Sequence, residues 1–145
     1  MKVESILRAK GRQVTTIQPW AKVEQAVGQL IGPPKIGALV VTGVPRGLTG
    51  MLTERDIIRG MKMRGAELLT MPVSSIMTHH VPTCSPTDGI ADVMAKMTHS
   101  RYRHLPVLDG GELVGLVSIG DVVAARVEEM ELETGVLRDL HMARH

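Results

Sequence analysis

With 145 residues, a net charge of +2 and 43% hydrophobic residues, the chain is long enough and apolar enough for one compact domain, too short for two independent cores, and too well mixed for disorder. It has no Phe, one Trp and one Tyr, and no basic stripe, which argues against binding to nucleic acid and leaves a core of Val, Ile, Leu and ten Met. No signal-peptide run follows Met1-Lys2-Val3-Glu4, no apolar stretch approaches the ~20 residues of a membrane span, and the lone Cys84 rules out an internal disulfide, so a cytoplasmic protein without membrane contact is expected.

From the N-terminus, Val3-Glu4-Ser5-Ile6-Leu7 is a short amphipathic segment followed by the turn signal Lys10-Gly11-Arg12. Val14-Thr15-Thr16-Ile17 has strand composition and stops at Pro19. Between Lys22 and Ile31, Val23, Ala26, Val27 and Leu30 fall at helical spacing, which predicts a half-buried helix ended by Gly32-Pro33-Pro34. Ile36 to Val41 is an apolar run of strand length, and residues 43–47 read as a turn. Gly50-Met51-Leu52-Thr53-Glu54-Arg55-Asp56-Ile57-Ile58 then reads as a buried strand passing straight into a helix that reaches about Arg64.

After a connector, the order restarts. Val73 to Met77 echoes Val3 to Leu7, and Val81-Pro82-Thr83-Cys84-Ser85-Pro86 echoes Val14 to Pro19. Ile90, Val93, Met94 and Met97 repeat the helical face, and Asp109-Gly110-Gly111 marks a hairpin between Leu105–Leu108 and Glu112–Ser118. Gly115-Leu116-Val117-Ser118-Ile119-Gly120-Asp121 restates the motif at Gly50, with Asp121 standing 65 positions after Asp56. This is an internal duplication of strand–helix–strand–strand–helix units, an α/β class. The expected division is a first repeat over 1–64, a connector over 65–72, a second repeat over 73–127 and a helical tail over 128–145. In the tail Val123, Val127, Met130 and Leu137 can share one face, which either packs on its own domain or meets a second copy. Gly135 is a candidate for an early break.

Thr53-x-x-Asp56 and Ser118-x-x-Asp121 are near capping boxes, which tie down free N–H groups at a helix start, and that role alone accounts for them. A carboxylate at the mouth of a strand–helix turn can also accept both hydroxyls of a ribose, and helix N-termini favour phosphate. The two roles are compatible. Arg101, Arg103 and His104 form the one dense cationic cluster; they either bind phosphate as bidentate forks, line a solvated face, or pair with the acidic tail. His79-His80, His99 and His104 lack zinc-ligand spacing, and neither a phosphate loop nor a nucleophile motif is present, so neither a metal nor catalysis is expected.

Two units in this order, each closed by Gly, two apolar residues, Thr or Ser, and Asp three positions on, resemble the cystathionine-β-synthase (CBS) domain pair, or Bateman module, from about Val3 to Val127. The second copy is nearer, because Arg101-Tyr102-Arg103-His104-Leu105-Pro106-Val107 is similar to the family's strand before the hairpin. The resemblance implies an α/β fold of tandem β-α-β-β-α repeats related by a pseudo-two-fold axis, with two clefts and frequent homodimerisation. It implies a regulatory sensor of an adenine nucleotide (AMP, ADP, ATP or NAD(H)) that performs no chemistry on its ligand and acts on an unidentified protein target. It places Thr53, Asp56, Ser118 and Asp121 at the ribose, Thr16, Ile17, Thr83 and Cys84 at the adenine, and Arg55, Arg101, Arg103 and His104, with Pro106 in the same strand, toward the phosphates. The first copy departs from the pattern, since Gly37 and Ala38 stand where Arg103 and His104 stand and Val40 replaces Pro106. One cleft is therefore expected to bind more strongly, with Asp56 and Thr53 on the ribose and second-repeat cations reaching across. The alternative is a ligand-free interaction scaffold whose caps are purely structural.

Overall fold

Local signals decide most elements of the computed structural model, which describes residues 1–43 and 47–143 apart from the side chain of Leu137. The turn expected over 43–47 falls partly outside those residues, as does the place of Leu137 on the tail face. Helix α1 (Val3–Lys10) buries Val3, Ile6 and Leu7 at helical spacing, and Gly11 ends it. Strand β1 (Thr16–Ile17) is followed by α2 (Val23–Ile31), which buries Val23, Ala26 and Leu30. Strands β2 (Ala38–Thr42) and β3 (Leu48–Thr53) lead into α3 (Glu54–Arg64). Two 3-10 turns, Gly65–Thr70 and Val73–Ser75, form the link to the second copy. That copy supplies α4 (Ile90–Ser100), β4 (His104–Asp109), β5 (Glu112–Ser118) and α5 (Ile119–Ala143). No helix among the described residues is long and apolar enough to cross a membrane.

The two sheets are built alike. In the first, β1 runs parallel to β2 (Ile17 beside Val41) and β2 antiparallel to β3 (Val40 beside Met51). In the second, β4 and β5 form the predicted hairpin, with Gly110 and Gly111 at φ of 58° and 85°, the left-handed pair that a two-residue turn needs. The strand expected at Val81–Pro86 shrinks to one parallel bridge between Cys84 and Val107. The cause is chemical. In the first sheet the Val40 amide donates to the Thr15 carbonyl, but Pro106, the counterpart of Val40, has no N–H to offer. Only the Cys84 amide to the Pro106 carbonyl (3.0 Å) and the Leu108 amide to the Cys84 carbonyl (2.8 Å) survive.

The repeats exchange their leading segments. Val3, Ile6 and Leu7 pack into the second core with Ile90, Val93, Met97, Leu105, Val117 and Val122. Val73 and Met77 pack instead into the first core with Ile17, Ala26, Leu30, Leu39, Val41 and Leu52. Equivalent backbone bridges fix both crossings, Lys2 with Gly89 and Lys22 with Pro72. The sheets meet at a small shared cluster of Ala38, Met51 and Val81, covered by Tyr102 and Leu116, so the one shared core expected from the chain's length is instead two cores, each completed by the other repeat's leading segment.

Helix α5 is not broken at Gly135; it runs unbroken to Ala143. Nothing lies near that glycine, and an exposed helical Gly costs only about 1 kcal/mol relative to Ala. Val123, Val127 and Met130 are about half exposed rather than packed on their own domain.

Candidate functional site

Where β3 becomes α3, the Thr53 amide donates to Asp56 Oδ2 at 2.9 Å and the Thr53 hydroxyl to the same oxygen at 3.3 Å, in a capping box. This much is local. The other oxygen is served from farther along the chain: the Thr78 hydroxyl donates to Oδ1 at 3.0 Å, and Arg59 reaches it at 3.5 Å. Asp56 is the one buried charged residue among the described residues, at 4% exposure. Burial of a carboxylate is tolerated here because its lone pairs are met by donors. Arg59, at 3.5 Å and largely exposed, is the weakest of these and the one a ligand hydroxyl would replace most readily.

Facing this helix start are residues 100–104, where α4 ends and β4 begins. Together the two repeats enclose a cleft of about 590 Å³. Thr53, Arg55, Asp56 and Arg59 line one side, and Arg101, Tyr102, Arg103 and His104 the other, with Thr78 and Gly37 between. Five cationic side chains (Lys35, Arg55, Arg59, Arg101 and Arg103) face two acids, Glu54 and Asp56. Arg101 caps α4 in a left-handed conformation, with φ of 63°. Gly37 explains the first copy's departure from the pattern: a Cβ there would lie 2.8 Å from His104 Nε2, so the missing side chain is where the His104 ring sits. Burial lowers the His104 pKa from 6.5, helped by Lys10 and Arg103 and opposed by Asp121, so the ring is neutral at pH 7.

The second acid is held differently. The Ser118 amide donates to Asp121 Oδ2 at 2.9 Å, and the Asp121 amide donates to Ser118 Oγ at 3.1 Å. In place of the neutral hydroxyl of Thr78, Asp121 receives the Lys10 ammonium at 2.7 Å, which also donates to the Leu116 carbonyl at 3.0 Å. Burial alone would raise the Asp121 pKa, but the bonds from Lys10 and Ser118 outweigh it and hold the carboxyl below 3.8. The Lys10–Asp121 contribution to stability is thus present above pH 3.8 and is lost as pH falls through the lower folded value. Lys10→Met should raise the Asp121 pKa and cost about 1 kcal/mol near neutrality, the pair being partly exposed. A carboxyl-carbon NMR titration superimposable on that of the wild type would separate Lys10 from this acid.

Of the residues singled out by sequence, the cleft gathers Thr53, Arg55, Asp56, Arg101, Arg103 and His104. Thr16, Ile17, Thr83, Cys84, Pro106, Ser118 and Asp121 are not among its described lining residues. Ile17 and Cys84 sit in the two separate cores. Burial, with Asp88 nearby and against Lys96, pushes the Cys84 thiol up to about 11, so it is a packed and unreactive group. Pro106 is buried beside it, Thr83 is half-buried with its carbonyl accepting from Lys96, and Thr16 is exposed. Among the described residues no group of three or more His, Cys, Asp or Glu could hold a metal. Sequence reading missed Thr78, Lys10 and Arg59. Thr78 and Lys10 reach their acids only through the exchanged segments, and no local signal marks them; Arg59, at i+3 from Asp56, was legible by helical spacing.

Comparisons with known proteins bear on the family and the fold. The CBS domain profile matches residues 73–128, the copy with the Arg-rich strand. The CBS domain-containing protein YhcV of Bacillus subtilis is 30% identical over 92% of this chain and 93% of its own length. The mitochondrial CBS domain-containing protein CBSX3 of Arabidopsis thaliana is 32% identical over 88% of this chain, which spans only 65% of that relative. Among solved structures, a CBS-domain-containing protein from Agrobacterium tumefaciens aligns with a TM-score of 0.81 and 41% identity, covering 86% of this chain and 92% of that one. A CBS domain protein from Pyrobaculum aerophilum, complexed with AMP, aligns with a TM-score of 0.77 and 27% identity over 92% and 99% of the two chains. The duplicated units and these similarities make the chain a member of the CBS-domain family, as a tandem CBS pair.

Proposed function

We propose that the chain is a regulatory sensor that binds one adenine nucleotide in the Asp56 cleft and, by binding one conformation better than another, changes its affinity for a protein target. The observation that carries this reading is the meeting, across the two repeats, of a helix-opening acid with Arg101, Arg103 and His104 in one cleft. Its volume lies within the range of small-molecule sites. The AMP held by the Pyrobaculum relative supports the class of ligand. The excess of cations in the lining favours ligands with two or three phosphates, and it disfavours a cationic nucleoside such as S-adenosylmethionine. NAD(H) fits the same logic, its pyrophosphate replacing the nucleotide's. Lys10 at Asp121 makes the second acid a poorer ribose acceptor, so one ligand per chain is expected.

Calorimetric titration with ATP, ADP, AMP, NADH and S-adenosylmethionine tests the reading, with ATP or ADP expected to bind tightest and at a stoichiometry near one. Because the folded His104 pKa is depressed, its contribution to stability is present above pH 6.5 and is lost as pH falls toward the folded value. A bound phosphate favours the imidazolium, so nucleotide affinity should rise as pH drops from 7.5 to 6, and His104→Gln should flatten that slope. Silence across the whole panel would favour the competing reading, a ligand-free scaffold. That reading draws on the full set of donors already satisfying Asp56.

A further inference from the structure

Each helix-opening acid has one cation, and the two cations are held in different ways. Lys10 comes to Asp121 from the other repeat at 2.7 Å and is tied a second time, to the Leu116 carbonyl at 3.0 Å. In the first copy Thr78 takes both places, its amide donating to the Met51 carbonyl at 2.9 Å and its hydroxyl to Asp56 at 3.0 Å. Lys10 is thus a strut, one side chain where Thr78 uses backbone and hydroxyl. The cation at Asp56 is Arg59, one turn along the same helix, at 3.5 Å and 61% exposed. Its counterpart 65 positions on is Ala124, so the second motif lacks a cation there.

Arg59 holds Asp56 by a single contact at the limit of hydrogen bonding, while Thr53 and Thr78 already bond both carboxylate oxygens. Its departure therefore leaves neither oxygen of the buried acid without a donor. Arg55 and Arg59 both line the cleft. Four residues apart, they share one side of α3, where two like charges repel. Glu54 is engaged elsewhere, with Lys35 at 3.7 Å. An anion between the two guanidiniums would turn that repulsion into two charge-assisted contacts. A nucleotide brings such an anion, because its 5′-phosphate lies within an arginine's reach of the hydroxyls of its own ribose.

We propose that Arg59 is an exchangeable counter-ion that sets the cleft's preference for phosphorylated nucleosides: the ribose displaces it from Asp56, and it turns with Arg55 to the phosphates. This rests on the nucleotide reading of the cleft. A nucleoside breaks the Arg59–Asp56 contact and gives nothing in exchange, whereas a nucleotide offsets the loss at its phosphates. Removing the guanidinium should therefore move two affinities in opposite directions. In calorimetric titrations Arg59→Gln should bind adenosine about threefold tighter, the strength of an exposed ion pair. It should bind ADP about tenfold weaker, the strength of one charge-assisted hydrogen bond. The preference for ADP over adenosine then falls about thirtyfold. Arg59→Lys keeps the charge and should recover most of the preference. Because the side chain is exposed, the melting temperature without ligand should hardly move in either variant. Wild type that binds ADP, with a variant in which adenosine and ADP weaken alike or both stay put, would overturn the exchange and leave the site standing. Wild type that binds neither ADP nor ATP would overturn the reading of the cleft itself, and the role of Arg59 with it.

Discussion

Changing Arg101 to Asn and Arg103 to Ala together should weaken ATP or ADP binding by about a hundredfold, roughly tenfold for each charge-assisted hydrogen bond removed from the phosphates. Asn is chosen at Arg101 because the backbone there is left-handed, which Asn tolerates and Ala does not. Both side chains are exposed, and the one backbone bond that Arg103 makes to the core, its carbonyl accepting from the Ile119 amide at 2.7 Å, survives any substitution. The melting temperature without ligand should therefore stay put while the calorimetric Kd rises. The salt dependence should shrink as well, since two counter-charges to phosphate are gone. Unchanged affinity in the double variant would remove the second repeat's cations from the site.

Asp56→Ala should instead act mainly on stability, by about 3 kcal/mol, or a fall of about 10 °C in melting temperature for a domain of this size. The substitution deletes a buried acceptor and strands the Thr53 amide and the Thr78 hydroxyl, both of which lose their partner in a partly closed space. It also removes the box that starts α3. Asp56→Asn keeps one acceptor oxygen and should cost roughly half as much. Any loss of nucleotide affinity in either variant has to be read at a temperature where the variant is folded, which is why the two arginines give the cleaner test of the ligand site. Thermal melts that coincide for wild type and Asp56→Ala would mean that the carboxylate is not the anchor of this junction.

Much of the molecule was legible because its causes are local. The hairpin at Gly110-Gly111 follows from two glycines between apolar runs, and both helix starts follow from a hydroxyl residue with an acid three positions later. The helical faces Val23–Ala26–Leu30 and Ile90–Val93–Met97 follow from spacing alone. Where reading failed, a distant partner or a missing donor decided the outcome. Val81–Pro86 looks like Val14–Pro19, but the ladder it would join contains Pro106, and one absent N–H reduces a strand to a single bridge. Gly135 looked like a stop, yet good helix formers on both sides outweigh one exposed glycine.

The sequence by itself determined that there are two copies of one α/β unit, which residues each would bury, and that an acid would open a helix in each. These are consequences of periodicity and of bonds spanning three or four residues. Only the tertiary structure decided that the leading segments trade places, which brings Thr78 to Asp56 and Lys10 to Asp121 across separations of 22 and 111 residues. That exchange makes two copies of the same motif electrically unequal, one acid met by a hydroxyl and the other by an ammonium. No local pattern encodes the difference, because it arises from which core each apolar leading segment is buried in, a contact between residues far apart in the chain.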